Sequence, residues 1–146
     1  MRLLVPTLVV VAVAVPSLNG DDTSAEYKGL QGTWEVVGGV ENGKKFTASD
    51  PPARDTRFTF RGGKLCVSQG RIRDVGDVII FSRTEPRALD FVQVMPCGIT
   101  QKMMCIIERN GDTLKIALQA DDDTRPADFS GKDPSVQVFV CERRRN

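Results

Sequence analysis

The chain holds 146 residues with a formal net charge of +1, 27% charged and 40% hydrophobic side chains, four cysteines and no histidine. That length fits one domain able to bury a core without metal staples, and the even charge balance excludes a general electrostatic pull on nucleic acid or an anionic membrane. The missing histidine excludes Ser-His and Cys-His nucleophiles and removes the usual near-neutral base, so neither enzymatic activity nor a cofactor is expected.

Residues 1–20 differ in kind from the rest. Met1-Arg2 is a short basic start, Leu3 to Val15 is apolar apart from Pro6 and Thr7, and Pro16 to Gly20 is small or polar. This is the layout of a secretory signal peptide; the apolar run falls short of the roughly 20 residues that a membrane-spanning helix needs. Export to the periplasm, cell envelope or exterior is therefore expected, without stable membrane insertion. Neither Leu18-Asn19-Gly20 nor Thr23-Ser24-Ala25 is a clean A-x-A cleavage site. Cleavage removes Arg2 and no acid, taking the charge from +1 to 0.

Asp21 to Tyr27 reads as a short flexible lead, and a single domain is expected over 27–145. From there the apolar pattern has period two. Trp34, Val36 and Val40 alternate with Glu35 and Glu41; Phe58 and Phe60 flank Thr59; Leu65 and Val67 flank Cys66. Val78 to Phe81 and Leu89 to Val94 are short apolar runs, the second with Asp90 and Gln93 on its polar side. Lys102 and Glu108 bracket Met103 to Ile107, which alternation divides into Met103, Cys105 and Ile107 inward and Met104 and Ile106 outward. Leu114, Ile116 and Leu118 alternate with Lys115 and Ala117, and Val136, Val138 and Val140 with Gln137 and Phe139.

These eight runs are separated by turn signals such as Asn42-Gly43, Gly62-Gly63, Pro96-Cys97-Gly98 and Asn110-Gly111. The last is the strongest hairpin signal, pointing to a type I′ turn with positive φ at both central residues. Eight antiparallel strands with tight turns predict an all-β, eight-stranded, up-and-down barrel, which leaves no exposed sheet edges. A two-sheet sandwich would produce nearly the same pattern.

Cys66, Cys97, Cys105 and Cys141 make an even count in an exported chain, so two disulfides are expected. Four cysteines allow three full pairings. Alternation puts Cys66 on a face with Lys64 and Ser68, turns Cys105 inward, leaves Cys97 in a turn and sets Cys141 at a strand end, so no pair is singled out. Without a C-x-x-C pair or a histidine, no metal site is expected.

Three features carry a family resemblance. Leu30-Gln31-Gly32-Thr33-Trp34 opens the first strand ahead of Asn42-Gly43-Lys44; Gly111-Asp112-Thr113-Leu114-Lys115 starts the seventh; and Arg125-Pro126-Ala127-Asp128-Phe129 precedes the last. Over about residues 28–144 the chain resembles an uncharacterised family of exported, lipocalin-like domains known mainly from planctomycete bacteria. The resemblance implies a lipocalin-like barrel and no particular activity. Lipocalins carry Gly-x-Trp on the first strand, the tryptophan plugging the closed end under a late basic residue. Gly32 and Trp34 match, and Arg143 or Arg144 would supply the base. On charge alone, Arg143-Arg144-Arg145 reads as a solvated tail.

The functional expectations follow. Trp34 is assigned to folding, as a buried aromatic plug. Arg125, Pro126 and Phe129 are read as pinning the longest connection, Gln119 to Pro134, with Arg125 paired to a nearby acid and Phe129 closing an end of the barrel; an anion site on Arg125 is the alternative. Asp121-Asp122-Asp123 lacks EF-hand spacing and reads as a solvated acidic turn. The expected function is reversible binding of a small apolar molecule inside the barrel by some of Val36, Phe58, Phe60, Leu89, Phe91, Met103 and Ile116. The rival is a solid barrel whose loops, Lys44 to Arg57 and Gln119 to Pro134, bind another exported protein as an interaction, envelope-structural or inhibitory module.

Overall fold

The computed structural model describes residues 21–81, 83–119 and 124–145. Residues 1–20, expected to be a signal peptide, and Asp121-Asp122-Asp123 lie outside the described residues. Among the described residues, helix α1 (Asp21–Leu30) precedes nine strands: β1 (Gly32–Glu41), β2 (Lys44–Thr47), β3 (Thr56–Arg61), β4 (Lys64–Gln69), β5 (Ile72–Phe81), β6 (Arg87–Val94), β7 (Thr100–Asn110), β8 (Thr113–Gln119) and β9 (Val136–Arg143). Eight of them form a closed antiparallel barrel in the order β1-β3-β4-β5-β6-β7-β8-β9, sealed by β9 on β1. The eight runs picked out in the sequence, alternating or continuously apolar, fall on these eight strands.

The ninth, β2, extends the edge of β1 beyond its pairing with β3. Residues 32–35 of β1 pair with β3, and residues 38–41 pair with β2. With Phe46 as its one large apolar residue, β2 offered no alternation to read. The β1–β2 hairpin turns on Asn42 and Gly43, with φ of 51° and 73°, the double positive that a type I′ turn needs. The expected I′ turn at Asn110-Gly111 is corrected: Asn110 pairs with Thr113, so the central residues are Gly111 and Asp112, and of these Gly111 alone has positive φ, 58°.

The expected flexible lead is also corrected, since residues 21–30 form a helix. Its apolar pattern is weak because it docks through few side chains. Leu30 is buried, and the Tyr27 hydroxyl donates to the Val78 carbonyl at 2.6 Å. The end of the helix closes the barrel floor. Trp34 is fully buried and donates its Nε1–H to the Leu30 carbonyl at 2.8 Å. Arg143 covers the Trp34 ring with its guanidinium carbon 4.2 Å from the centroid, donates to the Gly29 carbonyl at 2.7 Å and to the Gln31 carbonyl, and pairs with Asp112 at 3.0 Å. Helix carbonyls that have no intrahelical partner are thus satisfied by side chains. Arg143 is therefore not part of a free tail, and it, not Arg144, is the base over the tryptophan. Gly32 is held at φ 112°, which side-chain-bearing residues rarely adopt, next to this arginine.

A bulge in β1 between Val36 and Gly38 reverses its alternation. Trp34 and Val36 face the lumen; beyond the bulge Val40 pairs with Val138 on the outside, and Glu41 lines the lumen mouth. The sequence pattern had grouped Val40 with Trp34 and Val36. Gly39 follows the bulge, where an added Cβ would lie 1.9 Å from the Val138 carbonyl oxygen.

Outside the barrel, Ile106, Ala117, Val136 and Val138 form a second buried cluster with Val40 and Phe129 packed on it. Phe129 therefore covers the sheet's outer face, not an end of the barrel as expected, and Pro126 is buried in the same connection. Arg125 pins it, but to a distant acid: it donates to Asp90 at 2.6 Å and to the Cys105 carbonyl at 2.7 Å. Asp90 is only 4% exposed, and Lys102 lies 3.9 Å away. Downstream, Ser130 and Ser135 each donate side-chain and backbone hydrogen bonds to Asp128 and Asp133, holding both carboxyls below their usual range.

The four cysteines are free, which corrects the disulfide expectation. Cys66 is on the outer face of β4, and Cys97 is exposed in the β6–β7 turn. Cys105 and Cys141 are both buried, but they flank different ends of β8, opposite Leu118 and Leu114. Four strand residues span about 13 Å, well beyond the roughly 7 Å limit between bridged Cα atoms.

Trp34→Ala should lower unfolding free energy by about 3–5 kcal/mol, and Trp34→Phe, which keeps a ring but leaves the Leu30 carbonyl unpaired, by about 1–3 kcal/mol, as measured by urea denaturation. Arg125→Ala leaves Asp90 buried with only the distant Lys102, so a loss of about 2–3 kcal/mol is expected in the same assay; a near-zero change would show that the connection is held by its apolar contacts alone.

Candidate functional site

Floor and walls shape what remains of the lumen. The lower lumen is filled by Trp34, Leu30, Leu114 and Cys141, all essentially inaccessible to solvent. Above them the barrel encloses a cavity of about 370 Å³ that opens at the end where β1 and β4 finish and β5 and β7 begin. That volume lies within the range of small-molecule sites.

Of the seven residues expected to contact a ligand, Phe58, Phe60, Leu89, Phe91, Met103 and Ile116 line this cavity. Val36 does not; it is buried in the core around the floor. Phe139 completes the wall, its ring edge-on to Phe58 at 5.5 Å and to Phe46 at 6.0 Å. In the sequence Phe139 lay in the phase opposite the valines of β9. The valine phase turned out to be the outer one, buried beneath the Arg125-to-Pro134 connection, so apolarity alone chose the wrong face.

The polar lining was not anticipated. Successive inward positions change from apolar to polar as each strand reaches the mouth: Val67 to Gln69 on β4, Phe91 to Gln93 on β6, Met103 to Gln101 on β7, Phe139 to Gln137 on β9. Glu41 and Asp74 add two carboxylates. Gln137 donates to Glu41 at 2.7 Å, and Gln93 donates to Asp74 at 3.3 Å. On one side, buried Thr56 donates to the Pro52 carbonyl at 3.0 Å and turns the β2–β3 loop over the rim.

Cys105 is the one thiol in the cavity wall, and burial pushes its pKa up to about 12, against a smaller opposing pull from Arg125 and a push from Asp90. Burial likewise raises Cys141 to about 12. Both are inert as nucleophiles near neutrality. Among the described residues, no group of three or more Cys, Asp or Glu converges as a metal site would require. Arg125, the alternative anion site, is already paired with Asp90 and donates to two backbone carbonyls.

Compared with family models, curated proteins and solved structures, the chain matches none.

Iodoacetamide applied to the native protein near neutral pH should modify Cys97 first and Cys66 next, leaving Cys105 and Cys141 unmodified until urea is added. Peptide mapping reads the order, and the denatured, unalkylated mass should show all four thiol hydrogens present. A mass lower by two or four hydrogens would instead show one or two disulfides.

Proposed function

We propose that this protein is an exported, non-enzymatic, lipocalin-like carrier that reversibly binds a small, mainly apolar molecule in the upper lumen of its barrel. The observation that carries the reading is the unfilled cavity of about 370 Å³, walled by Phe58, Phe60, Phe91, Phe139, Leu89 and Ile116 above a sealed floor. Aromatic and aliphatic walls hold a ligand by area removed from water, and a polar rim sets its orientation. A binding role without catalysis fits a wall whose one thiol is kept protonated and a chain that has no histidine. Export rests on the basic start and apolar run of residues 1–20. The rival, a loop-based interaction module on a solid barrel, calls for an interior filled by side chains, and the upper lumen has room to spare.

Native mass spectrometry of protein purified from its own exported fraction tests the reading against the mass after denaturation. A reproducible small-molecule mass lost on unfolding is expected. Leu118→Trp, which places an indole into the cavity from β8, should abolish that mass while the melting transition is retained. A bare native mass in repeated preparations would overturn the carrier reading.

A further inference from the structure

The rim of the cavity has a charge character of its own. Its polar side chains among the described residues are Glu41, Asp74, Gln69, Gln93, Gln101 and Gln137, joined by Thr56, and no lysine or arginine is among the described lining residues. Neither Glu41 nor Asp74 has an ion-pair partner within 4.0 Å among the described residues, although eight ion pairs are formed elsewhere. Each carboxylate instead receives one glutamine amide, which orients it and leaves its charge in place. A carboxylate is an acceptor only, and an amide whose N–H is spent on it still offers its carbonyl oxygen.

The two pairs stand on opposite sides of the mouth. Glu41 and Gln137 straddle the β1–β9 seam, and Asp74 and Gln93 straddle the β5–β6 seam. Going round the barrel, β1, β3, β4 and β5 separate the seams on one side and β6, β7, β8 and β9 on the other, so they are diametrically placed. The bulge in β1 is what brings Glu41 to this position. A ligand whose apolar body fills the lumen therefore emerges between two carboxylates.

Resting on the carrier reading above, we propose that the ligand is an amphiphile with a cationic, hydrogen-bond-donating head, an alkyl- or arylammonium, held at the rim by Glu41 and Asp74. An ammonium supplies three donors and no acceptor, which complements the rim. An anionic head, such as a fatty-acid carboxylate, meets two like charges and no cation. A neutral hydroxyl head fits between these limits, satisfying an acceptor without answering the charge.

The test uses three probes with one tail: decylammonium, decanol and decanoate, each titrated by calorimetry at neutral pH, the ionic probes below their micellar concentrations and decanol below its solubility limit. Decylammonium should bind roughly tenfold or more tightly than decanol, the scale of hydrogen bonds to charged groups, and decanoate should bind more weakly than decanol. In the Glu41→Gln, Asp74→Asn double variant, decylammonium should fall to the affinity of decanol while decanol itself is unchanged. Equal binding of decanol and decylammonium, tighter binding of decanoate, or an ammonium preference that survives the double variant would overturn the head-group assignment and leave the carrier intact. Failure of all three probes to bind, in a protein that melts cooperatively, would overturn the carrier reading together with it.

Discussion

The contact between Arg143 and Trp34 closes one end of an otherwise open tube, and the rest of the structure is organised around that closure. A barrel of eight strands has no edges, but it has two ends, and each must be filled, covered or left to solvent. At the floor a single guanidinium lies on the indole face, completes the carbonyls at the end of α1 and reaches Asp112 in the β7–β8 turn. It therefore joins the helix, the first strand, a hairpin and the last strand. Because the seal is complete at this end, the space the side chains leave unfilled collects at the other.

A second device lies outside the barrel wall. The connection from Arg125 to Pro134 crosses β6 to β9 and converts an outer sheet face into a second core, in which Ile106, Ala117, Val136 and Val138 are as buried as residues of the lumen. Sheets this wide need not be apolar on both faces. Here the outer layer supplies packing that the lumen forgoes at its mouth. The Arg125–Asp90 pair works with that layer, since it fixes where the connection begins, and Phe129 can then reach the cluster.

The architecture was legible because it depends on period two, which survives from one strand to the next. Each of the eight alternating or apolar runs is a strand, and six of the seven residues expected to contact a ligand do line the cavity. What could not be read has local physical causes. Alternation shows that two faces differ but not which is inner, so β9, apolar on both sides, presented its valines in place of Phe139. The bulge after Val36 shifts the phase by one residue, which moved Val40 out and Glu41 in. Helix α1 is held by tertiary bonds from Trp34 and Arg143, not by an amphipathic stripe, so its sequence resembled a loose lead. The cysteines suggested staples by number, but pairing depends on distances across the barrel that spacing along the chain does not contain.

Phase also decides the chemistry of the open end. In the proposed carrier the wall would supply affinity without much discrimination, because apolar surface accepts any apolar body of suitable volume. Discrimination would then fall to the rim, where a group with no donor would bury acceptors unpaired, a cost larger than the net gain of an ordinary hydrogen bond. Every inward position that reaches the mouth on β4, β5, β6, β7 and β9 carries an acceptor, and the β1 bulge adds a sixth where regular alternation would have placed valine. The irregularity that defeats a simple reading of β1 is thus the feature that completes the ring. Restoring regular alternation in β1 would cost the rim its carboxylate at the β9 seam and pull Val40 out of the outer core, so the charge of the mouth and the packing of the outer layer depend on the same extra residue.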